Sequence, residues 1–338
     1  MICLGFCGKA CILVVALLAA GCGPPGLRVR RVDARGALAY DVALDARGAV
    51  VATVELATEF ELVLRRADSG AVLSRTPLGD PTYDVVDLAL TADGARAAVA
   101  ALDGTVRVLD TADGRVLGSW RLDTFATAVA FSPDGAWLLT GADSGILCLR
   151  RADDGALLQC VDAHQARVAA LAFCADGRTA ASAGWDGRVV RWDVPSLREI
   201  TVYGRAGAAT AVAFSPDCAD LAVARAGAPP RRPPPRPDPG ARVEIWRVEP
   251  LPREMVGHTA AAVAVAWTPD GRRLLSGGWD GSVRLWDAAT GRSLGRLGGL
   301  GTMVRAVAVT PDGRRAVVAS WAGRDPSGRT LTVLDLPP

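Results

Sequence analysis

Ser182 stands between His164 and Asp186 in the sequence, and Ser276 stands between His258 and Asp280 in the same way. Hydroxyl, imidazole and carboxylate together could serve as nucleophile, base and orienter in acyl transfer. His164 and His258 are the only histidines in the chain, yet they occupy one and the same place in two copies of a repeated pattern. A catalytic histidine is expected once, so a trio that recurs reads as framework. The aspartates of the Pro-Asp-Gly turns recur likewise and read as turn formers. Gly298-Gly299-Leu300-Gly301 joins two extended segments and opens no helix, so it reads as a connection and not as a phosphate cradle. No CxxC motif or Cys/His cluster suggests zinc. An enzyme would need an unrepeated cluster of acids, bases or metal ligands converging on one place. The sequence displays none, and no catalytic, cofactor-binding or metal-binding residue is assigned.

The elements that position these groups come from the repeat itself. Gly184-Trp185-Asp186-Gly187-Arg188-Val189-Val190-Arg191-Trp192-Asp193 returns nearly unchanged from Gly278 to Asp287. A Ser/Thr-Pro-Asp-Gly turn, or a worn version of it, can be followed by its aspartate through Asp45, Asp93, Asp134, Asp176, Asp217, Asp270 and Asp312, at steps of 48, 41, 42, 41, 53 and 42 residues. A period of roughly 40 to 45 residues with short strands marks propeller blades. Apolar residues alternate within a unit, as at Val263, Val265 and Trp267 and then at Val283 and Leu285, which is the period of half-buried strands. A second turn, at Gly70, Gly114, Gly155 and Gly291, separates the third strand from the fourth. The fold expected is all-β, a seven-bladed β-propeller of four-stranded antiparallel blades. The seventh unit stops after its third strand at Leu334-Asp335-Leu336. The alternating segment from Leu27 to Val32 is predicted to supply the missing strand, because an unclosed array would leave sheet edges open.

At these residues the chain resembles the WD-repeat β-propeller family, over about Leu27 to Leu336. His164, Ser182, Asp186 and Trp192 in blade four, and His258, Ser276, Asp280 and Trp286 in blade six, match the family's tetrad. The resemblance implies that each set is a hydrogen-bonded chain tying inner to outer strands, which is favourable only when every member is satisfied. Elsewhere the tetrad is lost: Leu109 and Arg150 replace the tryptophan in blades two and three, and Trp246 survives in blade five without a histidine. The resemblance also implies that partners dock on the top face, where the loops between second and third strands emerge. Trp185, Trp279 and Trp321 belong there, flanked by Asp84, Phe125, Arg167 and Met303, and these are the candidate partner-binding residues. Aromatics and arginine carry binding energy at interfaces; a tryptophan at this place can equally serve to cover its blade, and both readings stand. Three long connections, Leu56 to Phe60, Ala226 to Gly240 and Gly323 to Arg329, emerge on the same face. The Pro- and Arg-rich run from Ala228 to Gly240 reads as an extended polyproline II segment, either a docking arm or a tolerated insertion.

Lys9 precedes an apolar run from Ala10 to Ala20, of signal-peptide length and too short to span a bilayer. Leu18-Ala19-Ala20-Gly21-Cys22 resembles the lipobox of bacterial lipoproteins, which implies a lipid on the Cys22 thiol. Residues 1–21 are then signal peptide, 22–26 a tether and 27–338 the propeller. Of the other cysteines, Cys148 and Cys160 fall nearly opposite each other on neighbouring strands, close enough to bridge. An oxidising envelope would favour the bond, while two small half-buried residues would look the same. Cys174 and Cys218, in the first turns of adjacent blades, look unpaired. With 38 basic and 36 acidic residues the charge is near balance, and no basic stripe points to nucleic acid. The expectation is a lipid-anchored, monomeric, non-enzymatic scaffold of the bacterial cell envelope, facing the periplasm or exterior, with protein partners on the top face. The alternatives are a small molecule or glycan bound in the top-face funnel and, behind that, a propeller hydrolase or lyase.

Overall fold

Each repeat turns twice where its sequence offers turn chemistry. In the first turn of blade six the Thr268 hydroxyl donates to Asp270 (2.6 Å), Asp270 accepts the Arg272 N–H (3.0 Å), and the Arg273 N–H donates back to Thr268 (3.0 Å). The same arrangement recurs at Thr91/Asp93, Ser132/Asp134, Ser215/Asp217 and Thr310/Asp312. In the computed structural model, which describes residues 28–31, 38–56, 59–79, 85–229, 237–247, 252–321 and 331–337, these turns join 28 strands into seven antiparallel sheets of four. The strands of a sheet are lettered a to d from the central channel outwards. Turns a–b and c–d lie on the lower rim, and the b–c loops lie on the upper rim.

Strand b is sandwiched between a and c and is buried along its length, as at 97–101, 138–142 and 274–278. Its residues there are accordingly small or aliphatic, with Thr140 and Ser276 the polar exceptions. Seven apolar clusters hold the array, and each joins two neighbouring blades. The cluster of Val42, Val51 and Ala67 with Val317, Ala319, Leu331 and Val333 joins blade one to blade seven, so the ring is closed. Blade seven has the order Arg28–Arg31, Leu331–Asp335, Arg315–Trp321, Met303–Val309. Its outer strand therefore comes from the beginning of the chain, with Arg28 opposite Asp335 and Arg31 opposite Thr332. The expected closure is found, although Leu27 and Val32 lie outside the described residues, as does Cys22 with the segments expected to be signal peptide and tether.

Candidate functional site

The two tetrads are built from strand b, strand c and the approach to strand a. In blade four the Trp192 indole donates to Ser182 Oγ (2.9 Å), Ser182 contacts His164 Nε2 (2.7 Å), and His164 Nδ1 contacts Asp186 (3.1 Å). Blade six repeats this with Trp286–Ser276 at 2.8 Å, Ser276–His258 at 2.8 Å and His258–Asp280 at 3.1 Å. Asp186 also accepts the Gln165 and Arg188 amides, which anchors the far end of the chain. Ser182 and Ser276 are fully buried. Each hydroxyl receives an indole proton and faces an imidazole, so neither is placed to meet a substrate. Burial holds the His164 imidazole below its usual range, against the pull of Asp186. The neutral ring is thus the stable form.

Small residues decide where a tetrad can exist. A Cβ added at Gly184 would lie 2.3 Å from His164 Nδ1, and one at Gly278 would lie 2.5 Å from His258 Nδ1. The ladders put Glu55 at this place in blade one and Arg225 in blade five. Both blades bury an ion pair in exchange. Arg65, in the tryptophan's place, grips Glu55 at 2.8 and 3.0 Å, and Thr53 donates to Glu55 at 2.8 Å. Arg225 Nε donates to Glu244 at 2.6 Å, and Glu244 accepts the Trp246 indole at 2.8 Å and Arg242 Nε at 2.8 Å. Arg225 Nη1 reaches the Gly187 carbonyl of blade four at 3.0 Å.

The channel holds a polar pair that sequence reasoning missed. Five blades place alanine at one register position of strand a: Ala128, Ala170, Ala211, Ala264 and Ala306. Blades one and two place Asp41 and Asp87 there. Asp41 accepts the Leu88 N–H of blade two (2.8 Å), and Asp87 accepts the Val129 N–H of blade three (2.7 Å). The two carboxyls hydrogen-bond each other. From blade seven, Arg305 Nε donates to the Tyr40 carbonyl (3.2 Å) and its guanidinium lies 4.8 Å from the Tyr40 ring centroid. Burial raises both carboxyls, and the Asp41 charge adds to the effect on Asp87. This is an unrepeated acid pair on the channel, contrary to the expectation that none exists. Its oxygens are spent on main-chain donors of the next blade, so it reads as a latch that ties blade one to blade two and blade two to blade three. The signal was the exchange of alanine for aspartate at one repeat position, visible only once the bulge in strand a fixes the register.

Both remaining cysteine pairs are bonded. Cys148 and Cys160 are directly opposed on strands c and d of blade three and form a disulfide. Cys174 and Cys218, expected to be unpaired, form a second one between the lower turns of blades four and five. The turns supply the reason. Each turn's glycine position faces the turn of the preceding blade, as Gly177 faces Pro133 and Gly271 faces Pro216. Cys218 occupies that position with φ of 63°, and Cys174 takes the place of the turn's serine or threonine. Cys174, Cys218 and Asp176 cluster closely, but sulfurs joined to each other leave no thiolate for a metal.

On the upper rim the candidates separate. Phe125 is 48 % exposed. The Asp143 N–H donates to its carbonyl (3.0 Å), Arg167 Nε donates to Asp143 (2.5 Å), and the Arg167 guanidinium stacks 4.6 Å from the Trp185 ring centroid. These four residues form one continuous patch across blades three and four. Trp279 and Trp321 are half-buried at the equivalent places of blades six and seven. Met303 does not belong with them. In blade seven strand a starts one residue earlier, pairing Met303 with Trp321, and the side chain is 1 % exposed. Asp84 lies outside the described residues, as do 57–58, 230–236 and 322–330 of the three long loops, including the run expected to be polyproline II. The neck of the blade-five insertion is described: Asp238 accepts the Gly227 and Gly240 amides at 2.9 Å each.

Residues 118–149, 155–193 and 250–287 match the family described as WD domain, G-beta repeat. At those residues the chain is similar to WD40 repeats, and they lie within a seven-bladed β-propeller. Each match runs from an outer strand through a, b and c of the next blade, so the sequence repeat is one strand out of phase with the sheet. Transducin beta-like protein 3 of Bos taurus is 30% identical over 188 residues, covering 54% of this chain and 22% of that protein. The small ribosomal subunit protein RACK1 of Candida albicans is 27% identical over 137 residues, 38% of this chain and 39% of that protein. Protein groucho of Drosophila melanogaster is 31% identical over 131 residues, 35% and 15% respectively. The chain spans less than half the length of each of these relatives.

Proposed function

We propose that this propeller is a non-enzymatic docking platform that receives protein partners on its upper rim and is held at a membrane of the bacterial cell envelope by a lipid on Cys22. The observation that carries the docking reading is the Phe125–Asp143–Arg167–Trp185 patch. An exposed aromatic, an ion pair and a cation stacked on an indole give one surface that can exclude water and still direct hydrogen bonds, the pairing found at interface hot spots. Trp279 and Trp321 extend it around the rim. Two disulfides among the described residues favour an oxidising compartment, which agrees with export by the N-terminal segment. The channel carboxylates and the tetrads are occupied internally and leave the rim as the working surface.

The test is crosslinking in intact cells followed by capture of the native chain and of a Phe125→Ala/Trp185→Ala variant. Loss of two hot-spot aromatics should weaken a partner by about 2 kcal/mol or more, roughly thirtyfold. Recovery of every partner in equal amount from native and variant chains would sink the upper-rim reading.

A further inference from the structure

The outer edge of the ring is lopsided in a way the upper rim does not explain. Strand d begins with a β-bulge, so that two consecutive residues oppose one on strand c. Val72 opposes Arg65 with Leu73 unmatched, Val116 opposes Leu109 with Leu117 unmatched, and Leu157 opposes Arg150 with Leu158 unmatched. Bulges re-aim side chains, and here both members of each pair face solvent: Val72 and Leu73 are 45 % and 49 % exposed, Val116 and Leu117 51 % and 38 %, Leu157 and Leu158 54 % and 44 %. Six large apolar side chains therefore edge the lower rim of three consecutive blades. The corresponding pairs are Glu199-Ile200 in blade four and Ser293-Leu294 in blade six, with one exposed apolar residue each, so among the described residues the doubled apolar pair is confined to blades one to three. Exposed apolar side chains gathered on one rim of neighbouring blades, and not scattered singly, mark an interface.

Covalent geometry says what that interface meets. Arg28 pairs with Asp335, and Asp335 pairs with Arg315 just past the lower a–b turn. The chain thus enters blade seven at the lower rim, beside blade one and the start of the apolar arc. Six residues lead from Cys22 to Arg28, and they can reach about 20 Å at most. A lipid on Cys22 would hold this rim, and not the upper one, against the bilayer. We infer that the bulge residues of blades one to three rest in the membrane interface, completing a second contact beside the lipid, so that Phe125 and the rim tryptophans face away from the membrane. Apolar side chains set into the headgroup boundary add to membrane attachment in proportion to the area they bury, and here they would also fix the orientation. The inference rests on the lipid anchor proposed above.

The experiment reconstitutes the full lipidated chain into vesicles of phosphatidylethanolamine and phosphatidylglycerol. An environment-sensitive fluorophore is placed at Leu117→Cys or, as the upper-rim control, at Phe125→Cys, and doxyl-labelled lipid is the quencher. Blue-shifted emission and severalfold stronger quenching at position 117 than at 125 are expected. Flotation of the protein with the vesicles but equal, weak quenching at both positions would overturn the orientation and leave the anchor standing. Failure of the native chain to float, or flotation undiminished in Cys22→Ser with no quenching at 117, would overturn the anchor and the orientation with it.

Discussion

Blades four and five are neighbours that share one apolar cluster and one disulfide, yet they tie their strands together by opposite means. Blade four uses a hydrogen-bonded chain whose hub is the Ser182 hydroxyl. Blade five uses a buried carboxylate, Glu244, that takes over the same task of accepting the tryptophan indole. Three aligned positions separate them: Ser182, Gly184 and Val190 of blade four stand where blade five has Val223, Arg225 and Glu244, and Gly184 leaves the room for the histidine that Arg225 fills. The comparison teaches that a repeat can keep its strand geometry while exchanging its internal chemistry, provided the exchange is complete. A hydroxyl network costs little to bury, whereas an ion pair must recover the desolvation of two charges and punishes the loss of either partner.

The sharpest break of the comparison is Glu244→Ala, which strands the Arg225 guanidinium with only the Gly187 carbonyl. It should cost about 3–5 kcal/mol in urea unfolding, and a loss below about 1 kcal/mol would contradict a dry pair. Ser182→Ala in blade four leaves the Trp192 indole and the His164 Nε2 unsatisfied, for an expected loss of about 1–3 kcal/mol. Acid should separate the two blades by hydrogen exchange. His164 is depressed by burial from 6.5, so the stability it contributes is present above that value and is lost as pH falls below it. Burial pushes Glu244 upward but Arg225 beside it wins, and its contribution is lost only as pH falls below 4.5. Blade-four amides should therefore exchange first, and simultaneous opening of both blades would refute the distinction. The channel pair has the opposite sign. Asp87 is raised, so its contribution is present below 3.8 and is lost as pH rises through its folded value; Asp87→Asn should raise the melting temperature at neutral pH. A smaller effect than Glu244→Ala is expected from replacing the pair outright: Arg225→Met with Glu244→Leu strands no guanidinium and should cost about 1–3 kcal/mol, for the acceptor lost by the Trp246 indole.

Much of this was legible from spacing. The aspartates of the lower turns set the blade count, the missing strand after Leu336 pointed to the start of the chain, and the recurrence of His164 and His258 at one repeat place identified a framework network. Counting outward from the Asp153-Asp154-Gly155 turn aligned Cys148 with Cys160. What escaped were contacts between blades, because periodicity describes a unit and not its neighbour. The Cys174–Cys218 bond was signalled by two departures from the turn pattern, a cysteine for a hydroxyl residue and a cysteine for a glycine, which have meaning only when adjacent turns face each other. Asp41 and Asp87 looked like ordinary strand residues until the bulge register aligned them with five alanines. Met303 aligned with Phe125 and Arg167 but was drawn inward by a one-residue extension of its strand. Glu55 with Arg65, and Arg225 with Glu244, showed in sequence only as a lost tetrad.

The strand contributed by Arg28–Arg31 has a consequence for how the molecule comes into being. Its hydrogen-bonding partner, Leu331–Asp335, lies about 300 residues further along the chain, so a strand made early must wait for one made late before it is paired. Until then six blades can stack but one seam stays unlatched, and removal of either strand would unpick the same place.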